Sequence, residues 1–217
     1  MNHAGQVAFR ADLKSGESGV FIGDGQSVAT IADSGGIFSA FHGLPVINNR
    51  GTVVFRADQR DGGQGVYTGD GGALTTVVNS NDGFSELGRF PIIDDGGIVA
   101  FVATFQAGGG GVFKVAKGEV AAVVDTQGPF EHFRGVLINN AGTTIFYATP
   151  RDGQLGVYAG PGPPFHRIIA MGQPLFGSTV ADFALNPVSL NDAGQVAIRV
   201  KLADGRQFIL RADPKPP

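Results

Sequence analysis

The sequence repeats itself, and this repeat limits the possible folds more than any other feature. One phrase recurs as NHAGQVAF from Asn2, NNRGTVVF from Asn48, DDGGIVAF from Asp94, NNAGTTIF from Asn139 and NDAGQVAI from Asn191. The copies are spaced by 46, 46, 45 and 52 residues. A period of about 20 to 50 residues indicates stacked supersecondary units that bury their apolar faces against one another. We therefore expect a tandem-repeat protein.

Each full period contains four short apolar runs. The second run reads GVFIGDG from Gly19, GVYTGDG from Gly65, GVFKVAK from Gly111, GVYAGPG from Gly156 and, more weakly, QFILRAD from Gln207. The third begins at Ser27, Leu74, Val120 and His166, and the fourth follows Gly36, Gly83 and Gly128. Short runs rich in Val, Ile, Thr, Phe and Tyr between turn residues indicate strands, and no 3.6-residue apolar period is sustained. Each full unit is predicted to hold four strands.

The first strand of the repeat is apolar on both faces. In the second copy, Val53 and Phe55 lie on one face and Val54 on the other. A strand in a sheet with one solvent-exposed face would alternate more regularly between apolar and polar residues. Tandem four-stranded sheets buried on both faces are typical of propeller blades. The predicted fold is all-β, a β-propeller of about five four-stranded blades with repeats of 45–52 residues; a sandwich or a solenoid is the alternative.

The repeats predict a single domain over residues 1–213, with units at 2–47, 48–93, 94–138 and 139–190, a partial unit at 191–213 and a tail at 214–217. The chain then holds five copies of the first two strands and four copies of the others, which makes 18 strands. The terminal blades are therefore predicted to be incomplete. Unpaired strand edges favour pairing with another chain, so self-association is one hypothesis. A shallowly closed monomer or a shortened chain is the alternative.

Composition and charge exclude several classes of function. The 16 Lys and Arg residues against 19 Asp and Glu residues give a net charge of −3, which offers no electrostatic footprint for nucleic acid. The absence of Cys excludes disulfides, a thiolate nucleophile and a zinc site built on sulfur. No apolar run of about 18 residues predicts a membrane span, and the amino terminus does not have the pattern of a signal peptide. The 35 glycines are expected mainly in turns.

The phrase N-x-x-G-x-x-A-F, present as Asn2, Gly5, Ala8 and Phe9, resembles the hallmark of the bacterial choice-of-anchor tandem-repeat NxxGxxAF proteins. The resemblance covers nearly the whole chain. It is looser in the later copies, which carry Val54, Asp94, Ile145 and Ile198 at hallmark positions. The resemblance implies export and a location at the cell surface, with an uncharacterised biochemical role. The extracellular location rests on this resemblance alone.

Three arginines recur at one position of the first strand: Arg10, Arg56 and Arg199. Val102 and Tyr147 take that position in the other copies. In a closed ring, equivalent positions converge, so the three guanidinium groups could hold an anionic ligand. The alternative is local pairing with the Asp residue two positions further on, which lies on the same strand face and is present in the first two copies. These three arginines are the candidate ligand-binding residues.

No catalytic or metal-binding motif is present. The four histidines (His3, His42, His132 and His166) show no metal spacing, and His42 and His132 fall at different repeat positions. The Gly-Asp-Gly segments at 23–25 and 69–71, and the segment at 79–83, faintly resemble the start of a calcium loop. Turns explain them better, because none has the following ligands at the required spacing. We expect no catalytic residue, no metal and no cofactor.

The function best supported by the sequence is a non-catalytic binding or adhesion module for a glycan or a protein, because repetition favours multivalent avidity. The alternative is a structural subunit of a self-associating extracellular assembly. A propeller glycosidase or lyase is disfavoured, because the carboxylates fall mostly in turns and no acid/base pair can be located.

Overall fold

The structure is a computed structural model that describes residues 1–160 and 164–214. Regular structure in this part of the chain consists of β-strands and one 3₁₀ turn at Ser80–Asp82. The prediction of an all-β protein is confirmed. The end of the predicted strand GVYAGPG and most of the predicted tail at 214–217 lie outside the described residues.

The strands form five sheets, in which neighbouring strands are antiparallel. Sheet 1 contains β1 (Val7–Asp12), β2 (Ser18–Gly23) and β3 (Val28–Asp33). Sheet 2 contains β4 (Phe38–Ile47), β5 (Val53–Gln59), β6 (Gln64–Gly69) and β7 (Thr75–Asn79). Sheet 3 contains β8 (Phe84–Leu87), β9 (Ile92–Ile93), β10 (Val99–Phe105), β11 (Gly110–Ala116) and β12 (Glu119–Asp125). Sheet 4 contains β13 (Phe130–Ile138), β14 (Thr144–Pro150), β15 (Gly156–Ala159) and β16 (His166–Ala170). Sheet 5 contains β17 (Pro174–Leu175), β18 (Ser178–Ala184), β19 (Val196–Leu202) and β20 (Gln207–Ala212).

Each sheet from the second onward crosses a boundary of the sequence repeat. The last strand of one unit pairs with the first strand of the next, as β4 does with β5, where Val46 lies opposite Val54. The same pairing joins β13 to β14 and β18 to β19. Within the described residues, sheet 1 therefore has no counterpart of β4, and sheet 5 has no counterpart of β7. The 20 strands of the described residues correspond to the 18 predicted ones, except that the predicted fourth strand of the second unit is divided into β8 and β9 and that the short strand β17 is additional.

Four apolar cores join the five sheets in series. The core between sheets 1 and 2 contains Val20, Phe38 and Phe55. The cores between sheets 2 and 3 and between sheets 3 and 4 are built on Phe101 and Phe146, which are fully buried. Both faces of β5 are buried, as the sequence predicts. Burial of each such side chain stabilises the fold by about 1.5–3 kcal/mol.

The first and last sheets each leave one face uncovered. Val7 on β1 is 41% exposed, whereas Val53 and Val99 at the same repeat position are 0% and 2% exposed. Ile209 on β20 is 75% exposed, whereas its counterpart Val66 is 0% exposed. Among the described residues, no apolar core joins sheet 5 to sheet 1. Apolar packing therefore leaves the series of sheets open.

The Asn turns of successive repeats are joined by a ladder of side-chain hydrogen bonds. The Nδ2 of Asn48 donates to the main-chain carbonyl of Asp94 at 2.9 Å. In the same way, Asn2 donates to Asn48 at 3.2 Å and Asn139 donates to Asn191 at 2.8 Å. The glycine of each turn has a positive φ, as predicted: Gly5, Gly51, Gly97, Gly142 and Gly194. Asp94 interrupts the ladder, because a carboxylate has no N–H group to donate to the next turn.

A second ladder of hydrogen bonds runs through the second residue of each turn, which directly follows the Asn or Asp that begins the turn. The main-chain N–H groups of His3, Asn49, Asp95 and Asn140 each donate to the side-chain oxygen of the next residue in the series, which ends at Asp192. The N–H of Asn49, the side-chain amides of Asn49 and Asn140, and the charge of His3 hold the pKa of Asp95 below its ordinary value. The turns of all five repeats are therefore held in one continuous polar seam.

The described residues include no helix that could span a lipid bilayer.

Candidate functional site

Of the three predicted ligand-binding arginines, Arg56 is the most buried. Its Nη1 lies 2.8 Å from Asp58 Oδ1, and its Nη2 donates to Gln64 Oε1 at 2.6 Å. Burial lowers the pKa of Arg56, and the charge of Asp58 opposes this shift. The pairing of this arginine with the Asp residue two positions further on is confirmed. Gln64 in turn bonds to the main chain of β8, so Arg56 supports the packing of sheet 2 against sheet 3.

Arg199 is exposed and is also paired. Its Nη2 lies 2.6 Å from Asp182 Oδ2 on the neighbouring strand, and its Nη1 donates to Gln207 at 3.5 Å. Gln207 occupies on β20 the same register position as Gln64 on β6. This contact between Arg and Gln could have been predicted from the sequence, because an Arg and a Gln eight residues later recur in the second and fifth copies.

Arg10 differs from the other two arginines. Its Nη1 donates to the main-chain carbonyl of Phe41 at 2.9 Å. Asp12, the partner expected from the sequence, forms no ion pair with it, and no other carboxylate in the described ranges does so. No hydrogen bond or ion pair between described residues joins any two of the three arginines. The shared site predicted from Arg10, Arg56 and Arg199 stays a prediction.

Arg10 lies in the wall of a cleft of about 620 Å³, which we call the Arg10 cleft. The cleft brings β1 together with a bend in β4 and with the segment that precedes β19. Its walls are mostly apolar, and the lining residues are Met1, Ala8, Phe9, Arg10, Gly43, Leu44, Pro45, Val46, Ile47, Asn186, Pro187 and Val188. Leu44 and Val188 are largely exposed. Apart from Arg10, the sequence does not indicate these residues as a site, because they come together only when sheets 1, 2 and 5 are assembled.

The bend that forms one wall of the Arg10 cleft requires a glycine. Gly43 has a φ of +69°, and a Cβ at this position would collide with the main-chain oxygen of Arg89. Glycine adopts such a φ without the steric cost that other residues have. The close approach of β4 to the segment between β8 and β9 therefore fixes the position of Leu44 and Pro45 in the wall.

A second cleft of about 420 Å³ lies between sheets 3 and 4, and we call it the inter-sheet cleft. It is lined by Val102, Ala103, Thr104, Gly109, Gly110, Gly111, Thr126, Glu131, His132, Phe133 and Arg151. The guanidinium of Arg151 donates to the main-chain oxygens of Thr126 and Gly128, so this arginine stabilises the turn before β13. The Gly-rich hairpin supplies a wall without side chains.

The histidines do not form a common site. His42 lies 2.7 Å from Asp58 Oδ2 and pairs in register with Arg56, whereas His132 pairs in register with Thr149. The prediction that these two histidines occupy different repeat positions is confirmed. Within residues 1–160 and 164–214, no group of three or more His, Asp or Glu side chains could hold a metal ion.

The acidic turns use their oxygens locally. Asp24 Oδ1 accepts from the N–H groups of Gln26 and Ser27 at 2.9 and 2.8 Å, and these bonds lower the pKa of Asp24. The segment at 79–83 forms a 3₁₀ turn in which Asn79 and Asp82 cap each other. The prediction that these segments are turns is confirmed.

The fold and its clefts define an all-β repeat protein built from five consecutive antiparallel sheets. The chain belongs to a protein family of unknown function, DUF7453, whose profile matches residues 24–207. No curated protein matches the sequence. The similarity to NxxGxxAF proteins stays a prediction.

Two solved structures resemble the fold over most of the chain. One is a lectin of Aleuria aurantia, described as a six-bladed β-propeller with a novel fucose recognition mode; it is 10% identical, with a TM-score of 0.43, and the match covers 97% of this chain and 78% of the lectin. The other is a thermostable family-43 glycoside hydrolase, 11% identical with a TM-score of 0.41, covering 97% of this chain and 86% of the hydrolase. At this level of similarity, function has to be inferred from the chain's own contacts.

Proposed function

We propose that the chain is a non-catalytic binding module that holds an acidic glycan, or an acidic segment of a protein, in the Arg10 cleft. The observation that carries the proposal is the state of Arg10, which has no carboxylate partner among the described residues. Its guanidinium uses one hydrogen bond on the Phe41 carbonyl and leaves its other donors for a ligand. A guanidinium binds a carboxylate through two parallel hydrogen bonds, which gives both energy and orientation.

The walls of the Arg10 cleft suit the rest of such a ligand. Phe9, Leu44 and Val188 offer apolar surface around the charge, and Asn186 adds a polar group. Ligand sites commonly combine apolar walls with a few well-placed polar groups, and a volume of about 620 Å³ lies in the usual range. A uronic acid has the matching chemistry, because its ring carries apolar C–H faces and a carboxylate.

The proposed architecture is an open arc of about five β-propeller blades, held by the four cores and the Asn-turn seam. The proposed location is outside the cell, as the resemblance to NxxGxxAF proteins implies. Such an arc presents its strand connections and clefts as a rigid surface, which suits binding rather than catalysis.

Binding to an array of acidic and neutral oligosaccharides tests the proposed function. We expect the protein to retain uronic-acid oligosaccharides in preference to neutral ones. Arg10→Gln should weaken binding by roughly 10- to 100-fold, because charge-assisted hydrogen bonds contribute about 1.5–3 kcal/mol. Arg199→Gln is the matched control, because that arginine is already paired with Asp182, and it should bind like the wild type. Unchanged binding by Arg10→Gln would overturn the proposal.

A second candidate function is that of a structural subunit, favoured by the two uncovered sheet faces. Each interior interface joins two different kinds of sheet face. The face that carries Val66 or its counterpart packs against the face of the next sheet that carries Phe101 or its counterpart. Sheet 5 presents the first kind of face through Ile209, and sheet 1 presents the second kind through Val7. One chain thus carries both halves of an interface that it already forms internally. Head-to-tail association of two copies would bury the uncovered face of sheet 5 in one copy against the uncovered face of sheet 1 in the other.

Sedimentation velocity over a wide concentration range tests this second candidate. The wild type should self-associate, and Ile209→Glu should abolish association because a charge cannot be buried without a partner. Lys117→Glu is the control, since this exposed residue lies in the turn between β11 and β12 of sheet 3, away from both uncovered faces. A wild-type chain that remains monomeric at the highest concentration would contradict head-to-tail association.

A further inference from the structure

The four sheet-to-sheet interfaces share one position on the first strand of the repeat, which is occupied in turn by Arg10, Arg56, Val102 and Tyr147. Arg10 donates to the main chain of the next sheet, and the Tyr147 hydroxyl accepts from the main chain of the next sheet at 2.6 Å. Arg56 contacts the next sheet through Gln64. Val102 takes this position in sheet 3 and has no polar group to offer.

The contact made by Gln64 shows what the interface between sheets 2 and 3 requires. Its Nε2 donates to the carbonyl of Ser85 at 2.9 Å, and its Oε1 accepts from the N–H of Leu87 at 3.1 Å. One primary carboxamide thus satisfies a neighbouring C=O and N–H on strand β8. The guanidinium of Arg56 donates to the same Oε1 and holds the carboxamide in place.

The interface between sheets 3 and 4 lacks this carboxamide. In sheet 2 the register pairs Asp58 with Gln64, and in sheet 3 it pairs Thr104 with Gly110. Gly110 therefore stands where Gln64 stands in the neighbouring interface. The inter-sheet cleft lies at this point, and both Gly110 and Val102 line it.

The main-chain groups that a carboxamide would bind are present on the other wall of the cleft. Leu87 pairs in register with Ala103, and Phe133 pairs with Ala148 in the same way. Phe133 is thus the counterpart of Leu87, and Glu131 is the counterpart of Ser85. No side chain in the described part of the chain bonds to the N–H of Phe133 or to the carbonyl of Glu131. Both residues line the cleft.

We infer that the inter-sheet cleft is a second ligand site and that it binds a primary carboxamide, as carried by the Asn or Gln side chain of a peptide. The ligand carbonyl accepts from the Phe133 N–H, and the ligand N–H donates to the Glu131 carbonyl. The ligand thereby supplies from outside the group that Gln64 supplies within the chain one interface earlier. This site is separate from the Arg10 cleft, and the inference does not rest on the proposed function.

The surroundings of the cleft favour a peptide as the source of the carboxamide. Glu131 and His132 at the cleft are exposed, so a chain attached to the carboxamide can extend into solvent. Glu131 and Arg151 also offer one charge of each sign, to which flanking peptide groups can bond. A volume of about 420 Å³ accommodates one side chain and the main chain next to it.

An NMR titration with small amides tests the chemistry of the site. Acetamide carries a primary carboxamide, whereas N-methylacetamide holds its N–H and C=O on opposite sides and cannot make both bonds to one strand edge. We expect acetamide to shift the amide resonance of Phe133 saturably and to bind roughly tenfold more tightly than N-methylacetamide, because one of two hydrogen bonds is lost. A short peptide that contains Gln should bind more tightly than free glutamine. Free glutamine binding as tightly as the peptide would contradict the peptide source.

Two variants connect this binding to the cleft. Val102→Arg places a long side chain where Arg56 lies in the neighbouring sheet and should abolish the shifts of Phe133. Gln64→Ala opens the equivalent space between sheets 2 and 3, so it should lower the Tm, and acetamide should restore more of that loss than N-methylacetamide does. Equal effects of the two amides on the Phe133 resonance, or no effect of either, would overturn the inference even where Val102→Arg fails to fold.

Discussion

The side-chain amide of Asn48 donates a hydrogen bond of 2.9 Å to the main-chain carbonyl of Asp94, 46 residues further along the chain. The same relationship joins Asn2 to Asn48 and Asn139 to Asn191. These hydrogen bonds stabilise the packing of neighbouring repeats in addition to the apolar cores between the sheets. The ladder is interrupted only where an Asp replaces the Asn, which makes Asp94 a natural test of its importance.

Asp94→Asn should stabilise the protein, because the new amide can donate to the carbonyl of Asn139 and complete the ladder. One such hydrogen bond contributes about 0.5–1.5 kcal/mol, which corresponds to a rise in Tm of a few degrees for a chain of this size. Thermal unfolding followed by circular dichroism measures the change. Asn139→Asp is the matched control and should lower the Tm, because it removes the existing bond to Asn191. A lower Tm for Asp94→Asn would contradict the role of the ladder.

The stability of the protein should depend on the ionisation of Asp95. Hydrogen bonds from Asn49 and Asn140 lower the pKa of Asp95 below its ordinary value of 3.8. A carboxyl group with a lowered pKa stabilises the fold above its unfolded-state pKa, and this contribution is lost as the pH falls through the folded-state pKa. Asp95→Asn should therefore have a lower Tm than the wild type at pH 7, and the difference should narrow as the pH falls below about 4. A constant difference across this range would show that the charge of Asp95 does not matter.

Arg56 and Arg199 should differ in their effect on stability although they share one repeat position. Arg56→Met removes a buried guanidinium that bonds to both Asp58 and Gln64 inside an interface, so it should cost about 2 kcal/mol. Arg199→Met removes an exposed ion pair with Asp182 and should cost less than about 1 kcal/mol. Urea unfolding of the two variants measures both values. Equal losses would mean that the burial of Arg56 has no energetic consequence.

Gly43→Ala should disrupt the wall of the Arg10 cleft. The new Cβ would collide with the main-chain oxygen of Arg89, and the backbone would also be strained at a φ of +69°. Gly25→Ala is the matched control, because Gly25 has a φ of +88° but nothing within 4 Å of its Cβ. The control should cost about 1 kcal/mol from backbone strain, and Gly43→Ala should cost more. Similar losses in thermal unfolding would argue against the close approach at Gly43.

Most of the strands could be predicted from the sequence, because local turn chemistry and apolar patterning determine them. The Gly and Asn residues of each turn mark where a strand ends, and the buried faces of β5 follow from Val53, Val54 and Phe55. The assignment of strands to sheets was harder to predict. The sequence period begins at the Asn turn, whereas that turn is the hairpin that joins β4 to β5 within one sheet. The period therefore gives the length of a unit but not its boundaries in space.

The candidate sites could be predicted only in part. Arg10 was found because it recurs with Arg56 and Arg199, but the repeat could not show that its guanidinium contacts Phe41, 31 residues away, rather than Asp12. The inter-sheet cleft is encoded by the exchange of Gln64 for Gly110 between copies. That exchange becomes meaningful only when the register shows that Gln64 bonds to the next sheet.

The most direct test of the central claim is an NMR titration of the isotopically labelled chain with a uronic-acid oligosaccharide. A ligand bound at Arg10 should shift the amide resonances of Phe9, Arg10, Leu44 and Val188, which line one cleft but come from three sheets or their connections. The shifts should saturate together and should disappear in Arg10→Gln. Shifts confined to other residues, or unchanged shifts in Arg10→Gln, would contradict the claim that this cleft binds the ligand.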